Sequence, residues 1–401
     1  MTASATDFRC ESDLVLFERL LAHPTIRRAN EQLERLEERG ETSSVRRRLL
    51  ATSVRISETM APDLHATAAE CGAALGLDIE LELYVFASPT YNAMCFKPED
   101  GRLFVMFASS LLEAFDDAEI RFVMAHELAH HVYHHHDVPI GYVLAGRERP
   151  DPRLALDLFT WSRYAEISAD RAGGHCAGDL LPVSSALFKL ASGLTGRRIR
   201  FNLPDFLAQV DAMQVETPAA AQRATSEDWF STHPFSPLRV RALKLFFDSE
   251  LAGGKLSRAE LEHGVTGLMS LMEPSYLDGR TETAEAMRRL LFAGALVLAN
   301  ADGHVSEEEI HVFEQFFGNR SFTADLDIDK LTSDLENRIA SVRAQASQPQ
   351  AMQVLRDLCL IARAGGQADE RQETILEEIA VGLGLTREFV CQAMRSSLEP
   401  D

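Results

Sequence analysis

The 401-residue sequence lacks the features that mark membrane-spanning and exported proteins. It contains no run of about eighteen or more apolar residues, the length that a helix needs to cross a bilayer. Its first residues, MTASATDFRCESD, contain neither a basic nor an apolar stretch, so they do not resemble a signal peptide. We therefore expect a protein without a transmembrane segment.

The sequence is also short of closely spaced cysteines and of positive charge. Its six cysteines are scattered without CxxC spacing, a pattern typical of free thiols in a reducing compartment. The 40 Lys and Arg residues are outnumbered by 61 Asp and Glu residues, and the formal net charge is −21. Nucleic-acid binding needs clustered positive charge, so we expect no nucleic-acid partner. Together these features favour a cytoplasmic protein.

The length and the apolar pattern predict two or three domains that are mainly helical. Helical spacing runs through much of residues 1–75, including the segment 45–60, and returns from about residue 283 to the end. Two segments differ: IELELYVFA (79–87) is typical of a strand, and MCFKPEDGRLFVMF (94–107) predicts a hairpin. We therefore expect a mainly α fold of the α+β type with a small β-sheet.

The segment MAHELAHHVYHHH (124–136) contains six histidines within eleven positions. Residues four apart lie on one face of a helix, so His126 and His130 can bind the same metal ion. Glu127 directly follows the first of them. This H-E-x-x-H pattern is typical of helices that bind zinc with two imidazoles, where the glutamate takes a proton from a zinc-activated water.

Two positions compete for the third zinc ligand. His136 stands where an extended pattern, H-E-x-x-H-x-x-G-x-x-H, has its last histidine, but Tyr133 replaces the glycine that permits a sharp turn. We therefore expect the helix to continue and His136 to point away from the first two histidines. Glu166, on a second predicted helix at about 153–176, can instead complete a tetrahedral site with one open position. The sequence favours Glu166.

Other residues near these ligands have predicted supporting roles. Asp170, one turn after Glu166, can accept a hydrogen bond from a ligand imidazole and fix its tautomer, and Arg163 can pair with a nearby carboxylate. Asp116 and Glu119 form a capping-box pattern that predicts the start of the histidine helix. The solvated C-terminal end of that helix is expected to carry the remaining histidines, His131, His134, His135 and His136.

These motifs resemble those of the gluzincin zinc endopeptidases of the HtpX and CAAX-prenyl-protease type. HELAH, followed by E-x-x-x-D at Glu166 and Asp170, matches the family's metal motif. Asn92 and Ala93 after a strand resemble its edge-strand segment, which pairs with the substrate backbone. STHPFSPLRVRAL (231–243) resembles its late His-Pro motif. The likeness covers about residues 45–250.

The resemblance implies a zincin-type domain, one Zn²⁺ per chain and a soluble zinc endopeptidase with Glu127 as general base. The segment 137–160 is too short and too charged for the hydrophobic hairpins of integral-membrane members. Arg239 is expected to support the ligands. His233 is expected near the zinc, where it stabilises the oxyanion or occupies the open position in a resting enzyme. The alternative is a structural histidine that starts a helix.

The C-terminal region contains a duplicated helical motif. LVLANADGHVSEEEIHVF (296–313) aligns with CLIARAGGQADERQETIL (359–376) at a constant offset of 63, and each copy predicts helix, glycine turn and helix. The pattern resembles TerB-like domains, named from tellurite-resistance proteins. A calcium-binding EF-hand fits less well, because its first ligand position falls on Leu298. We expect solvated turn residues at three acidic positions, Asp302, Glu307 and Glu308.

We therefore expect four regions: an N-terminal helical segment (1–44), a zinc metallopeptidase domain (45–250), a linker (251–283) and an all-α TerB-like domain (284–401). The expected substrate is a protein or peptide. The TerB-like domain would recruit a protein partner, gate the cleft or report stress. The alternative function is a non-catalytic or latent zinc-bound scaffold or stress-sensing protein. His233 as a permanent fourth ligand would favour that alternative, because structural zinc sites have four protein ligands.

Overall fold

The computed structural model describes residues 5–39, 44–144, 152–195, 199–215, 234–269, 282–301, 310, 314, 333–346, 348–364 and 370–395. The chain divides into two compact units. The first comprises Met1–Pro139, Trp161–Val210 and His233–Thr266, and the second comprises Ile140–Thr160, Asp211–Thr232 and Gly267–Asp401. Within the described ranges, no helix combines the length and apolar character needed to cross a membrane.

The fold is mainly α with one small sheet in the described part of the chain, as the sequence predicts. The helices and strands, in chain order, are α1 (Ala5–Phe8), α2 (Glu11–Ala22), α3 (Pro24–Glu38), α4 (Val45–Thr52), β1 (Val54–Ile56), α5 (Pro62–Ala74), β2 (Glu80–Phe86), β3 (Ala93–Glu99), β4 (Arg102–Ala108), α6 (Ser109–Ala114), α7 (Asp117–Val132), α8 (Ile140–Leu144), α9 (Pro152–Ala177), α10 (Leu180–Ser192), α11 (Leu203–Val215), α12 (Ser236–Asp248), α13 (Arg258–Met269), α14 (Glu282–Ala299), α15 (Leu335–Gln345), α16 (Gln348–Ala364), α17 (Glu370–Gly382) and α18 (Arg387–Arg395).

The sheet lies in the first unit and has the strand order β1-β2-β4-β3. Strands β2 and β4 pair in parallel, and the other two pairs are antiparallel. Asp100 and Gly101, with φ of 51° and 73°, link β3 to β4, as an Asp-Gly pair predicts for a two-residue hairpin turn. Pro98 has no N–H to donate, and it lies in β3 where the pairing register shifts between Phe96 and Glu99. The predicted hairpin is confirmed, and β3 forms an edge of the sheet.

Strand β4 is buried from Leu103 to Ala108 because both faces of the sheet are covered. Leu103, Val105 and Phe107 pack in the main core of the first unit together with residues of α5 and α7. Phe104 and Met106, which alternate with them, face a smaller apolar cluster beside α4. The core therefore joins the sheet to α7, the helix that carries the histidine motif.

The predicted helix over residues 45–60 is only partly right. Helix α4 ends at Thr52, and Val54–Ile56 forms β1, which pairs antiparallel with β2. Two of the three β1 residues are β-branched, and such side chains fit a pleated surface well. Pairing with β2 therefore overrides the local helical pattern.

The described helices of the second unit include α14 to α18, which share one apolar core. Helix α14 is buried on nearly every side, as expected for a central helix. A Cβ atom at Gly294 would lie 2.8 Å from Leu358 Cδ2, so glycine permits close packing on α16. The two glycine turns of the duplicated motif, with Asp302, Glu307 and Glu308, lie outside the described residues.

Candidate metal centre

Helix α7 begins at a complete capping box. The Asp116 side chain accepts hydrogen bonds from the backbone N–H groups of Ala118 and Glu119, at 3.1 and 3.0 Å. The Glu119 carboxylate in turn accepts from the Asp116 N–H at 2.8 Å and from Lys189 Nζ at 2.5 Å. The cap predicted from the sequence is therefore confirmed, and it also ties α7 to α10.

Helix α9 lies close against α7 because Gly173 has no side chain. A Cβ atom there would lie 2.8 Å from Phe122 Cδ2 and 2.9 Å from the Phe122 carbonyl oxygen. This close approach, seven residues after Glu166 on the same helix, positions the carboxylate of Glu166 beside the histidines of α7.

His126, His130 and Glu166 form a group that could hold a metal ion, with one ligand atom from each and all three atoms within 4.8 Å of one another. The two histidine Nε2 atoms are 3.2 Å apart. Glu166 Oε2 lies 3.4 Å from His126 Nε2, and the other carboxylate oxygen, Oε1, lies 3.4 Å from His130 Nε2. Ligand atoms about 2.0–2.1 Å from a tetrahedral zinc ion are separated by about 3.3–3.4 Å. Both the donor types and their spacing therefore fit zinc.

A buried ion-pair network surrounds this group. Asp170 Oδ1 lies 3.1 Å from His126 Nδ1, the ring nitrogen that faces away from the ligand cluster. Arg239 on α12 donates to both oxygens of Asp170, at 2.6 and 2.7 Å, and its Nη2 lies 3.2 Å from Glu166 Oε2. Burial acts to raise the pKa of Asp170, but Arg239 and His126 outweigh it and lower that pKa. Asp170 is therefore a carboxylate that can accept a hydrogen bond from His126.

The protonation of His126 is consistent with a site for a cation. Burial acts to lower the pKa of its imidazole, but the carboxylates of Glu166 and Asp170 outweigh burial and raise this pKa to about 10. The carboxylates around His126 therefore favour a positive charge at this position. A metal ion can supply that charge, with the imidazole as a deprotonated ligand.

The structure also describes other residues that the sequence assigns to the site. Glu127 is half-buried on α7. Burial, and to a smaller extent the carboxylate of Glu127, raises the pKa of the Cys95 thiol on β3. Asn92 is exposed at the start of the edge strand, and its carbonyl accepts a hydrogen bond from the Ala108 N–H at 2.8 Å. Arg163 is buried on α9. The roles assigned to these residues, and to Ala93, stay predictions, and His233 lies outside the described residues.

The chain beyond α7 does not continue as a helix, so that expectation is wrong. The helix ends at Val132, and His134 has a φ of 59°, in the left-handed region that histidine adopts more readily than most residues. A 3-10 turn, His135–Asp137, follows. The sharp turn therefore occurs without the glycine, but His136 is not a member of the ligand group found among the described residues.

The turn returns His135 to the end of α7, which corrects the expectation of a solvated histidine cluster. His134 is exposed, but His135 is 5% exposed and its Nδ1 lies 2.9 Å from His130 Nδ1. On its other side, Nε2 lies 3.1 Å from Oδ2 of Asp13. Burial lowers the pKa of His135 to about 4, although Asp13 acts in the opposite direction. His135 is therefore neutral at physiological pH.

Asp13 is a residue that the sequence analysis missed. It lies on α2 with no exposed surface, on the same buried stripe as Phe17 and Leu20. An acidic residue at a helical spacing of four and seven from buried apolar residues is unusual on an apolar face. That placement is the signal that could have identified it.

Comparisons with known proteins agree with the motifs. Residues 58–145 and 153–245 match the model of peptidase family M48, and residues 288–395 match that of the tellurite resistance protein TerB. Both resemblances inferred from the sequence are thereby confirmed. No solved structure gives a significant match to the chain.

Two curated relatives match part of the chain. The plastoglobule-localized metallopeptidase 48, chloroplastic, of Arabidopsis thaliana is 29% identical over an alignment of 210 residues, which covers 48% of this chain and 59% of that protein. A protease HtpX homolog of Sulfurovum sp. (strain NBC37-1) is 28% identical over an alignment of 193 residues, which covers 40% of this chain and 68% of that protein. The chain thus spans less than two thirds of the length of the chloroplast relative.

Proposed function

Because the chain carries a peptidase family M48 region followed by a TerB region, we propose that it is a zinc-dependent endopeptidase. One zinc ion per chain is held by His126, His130 and Glu166. The observation that carries this proposal is the grouping of their ligand atoms: the two Nε2 atoms are 3.2 Å apart, and each has an oxygen of Glu166 at 3.4 Å. Three protein ligands leave the fourth tetrahedral position open for catalysis.

The chemistry divides between the metal and Glu127. When bound, zinc supplies Lewis acidity, which polarises a carbonyl oxygen and lowers the pKa of water to about 7. Glu127 acts as general base: it takes a proton from the attacking water and returns it to the leaving amine. Helix α7, which carries Glu127, contacts the edge strand β3, and this supports the role because a substrate would bind along that strand.

The substrate peptide binds as an additional strand on the sheet. Strand β3 is an edge strand, and the unpaired backbone groups of such an edge can pair with an extended peptide. Asn92 and Ala93 align the peptide backbone with the metal group. Backbone pairing constrains side chains weakly, so it suits an enzyme that cleaves within many protein or peptide sequences.

Asp170, Arg163 and Arg239 position the ligands. The contact from Asp170 to His126 and the two hydrogen bonds from Arg239 to Asp170 support the assignments of Asp170 and Arg239, since carboxylate–histidine contacts orient zinc ligands. His233 acts near the open position, either as a stabiliser of the oxyanion or as an inhibitory ligand. The regions 45–250 and 284–401 correspond to the peptidase and TerB-like domains.

All six cysteines are free, which supports a reducing, cytoplasmic environment. The TerB-like domain recruits a protein partner, gates the cleft or reports stress.

The test compares the zinc content and casein cleavage of the wild type with those of Glu127→Gln and Glu166→Ala. Glu127→Gln should retain one zinc and lose cleavage, because it keeps the ligands and removes the base. Glu166→Ala should lose the metal. Glu113→Gln serves as a matched control, since Glu113 is exposed on the neighbouring helix α6.

Two outcomes would contradict the proposal. Full cleavage by Glu127→Gln would exclude the general base. A wild type that binds zinc and cleaves nothing, even as a His233→Ala variant, would favour a zinc-bound scaffold instead.

A further inference from the structure

The two histidines of the metal group are supported on their outer sides in different ways. His126 Nδ1 contacts a carboxylate directly, that of Asp170. His130 Nδ1 instead contacts another imidazole, that of His135, at 2.9 Å. Because His135 Nε2 lies 3.1 Å from Asp13 Oδ2, the contacts from His130 also end at a buried carboxylate, one residue further away.

The direction of these hydrogen bonds follows from metal ligation. A neutral imidazole that binds a metal through Nε2 carries its hydrogen on Nδ1. His130 must then donate to His135 Nδ1, which accepts. The hydrogen of His135 is consequently on Nε2, where it can donate to Asp13. His130 Nδ1 is therefore a donor, His135 Nδ1 an acceptor and His135 Nε2 a donor to the carboxylate, so every contact pairs one donor with one acceptor.

The Asp13 carboxylate is held rigidly enough to orient a neighbour. Its two oxygens accept hydrogen bonds from Arg9 Nε at 2.8 Å, Trp161 Nε1 at 3.0 Å and Ser168 Oγ at 2.7 Å. The Arg9 guanidinium also lies over the Phe17 ring, at 4.6 Å from its centroid. With these donors in place, the position of Asp13 sets the orientation of the His135 ring.

We propose that Asp13 and His135 form a positioning relay for His130, so that helix α2 is part of the metal centre. The inference rests on the proposed function, since it takes His130 as a metal ligand. Asp13 lies outside the residues that match peptidase family M48, which begin at residue 58. The N-terminal region therefore completes the metal centre as well as covering the core.

A purely structural role is the competing explanation, and burial energetics argue against it. A buried charged network is often no more stabilising than apolar residues of the same volume. Packing α2 against the first unit does not by itself require a carboxylate that faces an imidazole. The line of contacts from that carboxylate to a metal ligand accounts for the charge, because the carboxylate orients His135 and, through it, the ligand His130.

The experiment measures zinc affinity in the full-length protein by competition with a chromophoric chelator. Asp13→Asn should bind zinc about 10- to 100-fold more weakly than the wild type, the usual effect of losing a partner that orients a ligand. Replacement of zinc by Co²⁺ adds a spectroscopic readout, and the visible absorption bands of the variant should shift because the ligand geometry changes.

Glu262→Gln is the matched control for a structural effect. Glu262 is another buried carboxylate that holds the N-terminal region: it accepts from Arg171 at 2.7 Å and from Cys10 Sγ at 3.3 Å. Its loss should lower stability while leaving zinc affinity and the Co²⁺ spectrum unchanged. Equal zinc weakening in both variants would overturn the relay and indicate a structural role.

A pair of nearly isosteric variants decides the question even where Asp13→Asn does not fold. His135→Asn presents an amide oxygen that can accept from His130, whereas His135→Leu presents none. Zinc affinity should fall about 10- to 100-fold in the leucine variant and recover in part in the asparagine variant. If every variant binds zinc as tightly as the wild type, the relay is wrong while the peptidase proposal stands. A wild type that binds no zinc would instead remove the proposed function.

Discussion

Replacing Arg239 should destabilise the first unit strongly, because this guanidinium compensates two buried carboxylates. Arg239 is 7% exposed, Glu166 6% and Asp170 1%. The substitution Arg239→Met keeps an unbranched side chain and removes the charge. It deletes two hydrogen bonds to Asp170, at 2.6 and 2.7 Å, and the 3.2 Å contact with Glu166.

The size of the effect follows from the burial of the partners. Removing one member of a buried ion pair costs about 3–5 kcal/mol, since the other charge stays buried without compensation. A typical domain has a free energy of unfolding of about 5–15 kcal/mol, so the substitution would remove a large fraction of the stability. The urea dependence increases with protein size, so we take about 3 kcal/mol per molar, the upper end of the range for small proteins. The midpoint of unfolding should then fall by about 1–2 M.

The assay is urea unfolding of the metal-free protein at neutral pH, followed by circular dichroism. Arg241→Met is the matched control, because Arg241 is a half-buried arginine on the same helix. The double variant Asp170→Asn with Arg239→Met should cost less than the sum of the single changes, by about 1 kcal/mol or more. A loss below about 1 kcal/mol in Arg239→Met, or an equal loss in the control, would refute the compensation argument.

Three further substitutions test the fold around the site. Gly173→Ala should lower the free energy of unfolding by about 1–3 kcal/mol, because its Cβ would lie 2.8 Å from Phe122 Cδ2; thermal unfolding measures this. Glu119→Ala should cost about 2–4 kcal/mol in urea unfolding, since it removes the capping box and leaves Lys189 without its carboxylate. Glu82→Gln should cost about 1 kcal/mol at pH 7 and much less at a pH below the folded-state pKa of Glu82, as urea unfolding at pH 7 and through the acid range will show.

The pH dependence of the last prediction follows from the pKa of Glu82. Burial acts to raise this pKa, but hydrogen bonds from Tyr84 and Arg46 outweigh burial and lower it. The stabilisation is therefore fully present above the unfolded-state pKa of about 4.3 and is lost as the pH falls through the folded-state pKa. A cost that is independent of pH would contradict this account.

The chain offers control substitutions for the Gly173→Ala and Glu119→Ala predictions. Gly174→Ala should cost less than Gly173→Ala, because its nearest neighbour is the flexible Leu243 side chain at 3.1 Å and no backbone atom is close. Glu113→Ala, on the exposed surface of α6, should leave stability within about 0.5 kcal/mol. Equal effects in either comparison would contradict the packing or capping argument.

Local features of this protein could be predicted from the sequence because few residues determine them. The spacing of His126 and His130 follows from the helical period, the Asp116 cap from hydrogen bonds within one turn, and the Asp100-Gly101 turn from residues that tolerate positive φ. The glutamate on a second helix and the late arginine came from ordered motifs that resemble those of a known family. The strand β1 was missed, because its pairing partner lies about 30 residues away.

The tertiary structure alone decided how His130 is supported and how the Asp170 carboxylate is compensated. Asp13 and His135 are 122 residues apart, and Arg239 and Asp170 are 69 apart, so no local pattern connects them. Burying a carboxylate is favourable only where donors from several elements converge on it, and that convergence depends on how the helices pack. The sequence by itself therefore determined the residues that can bind a metal. Long-range packing determined which buried carboxylates hold those residues in place.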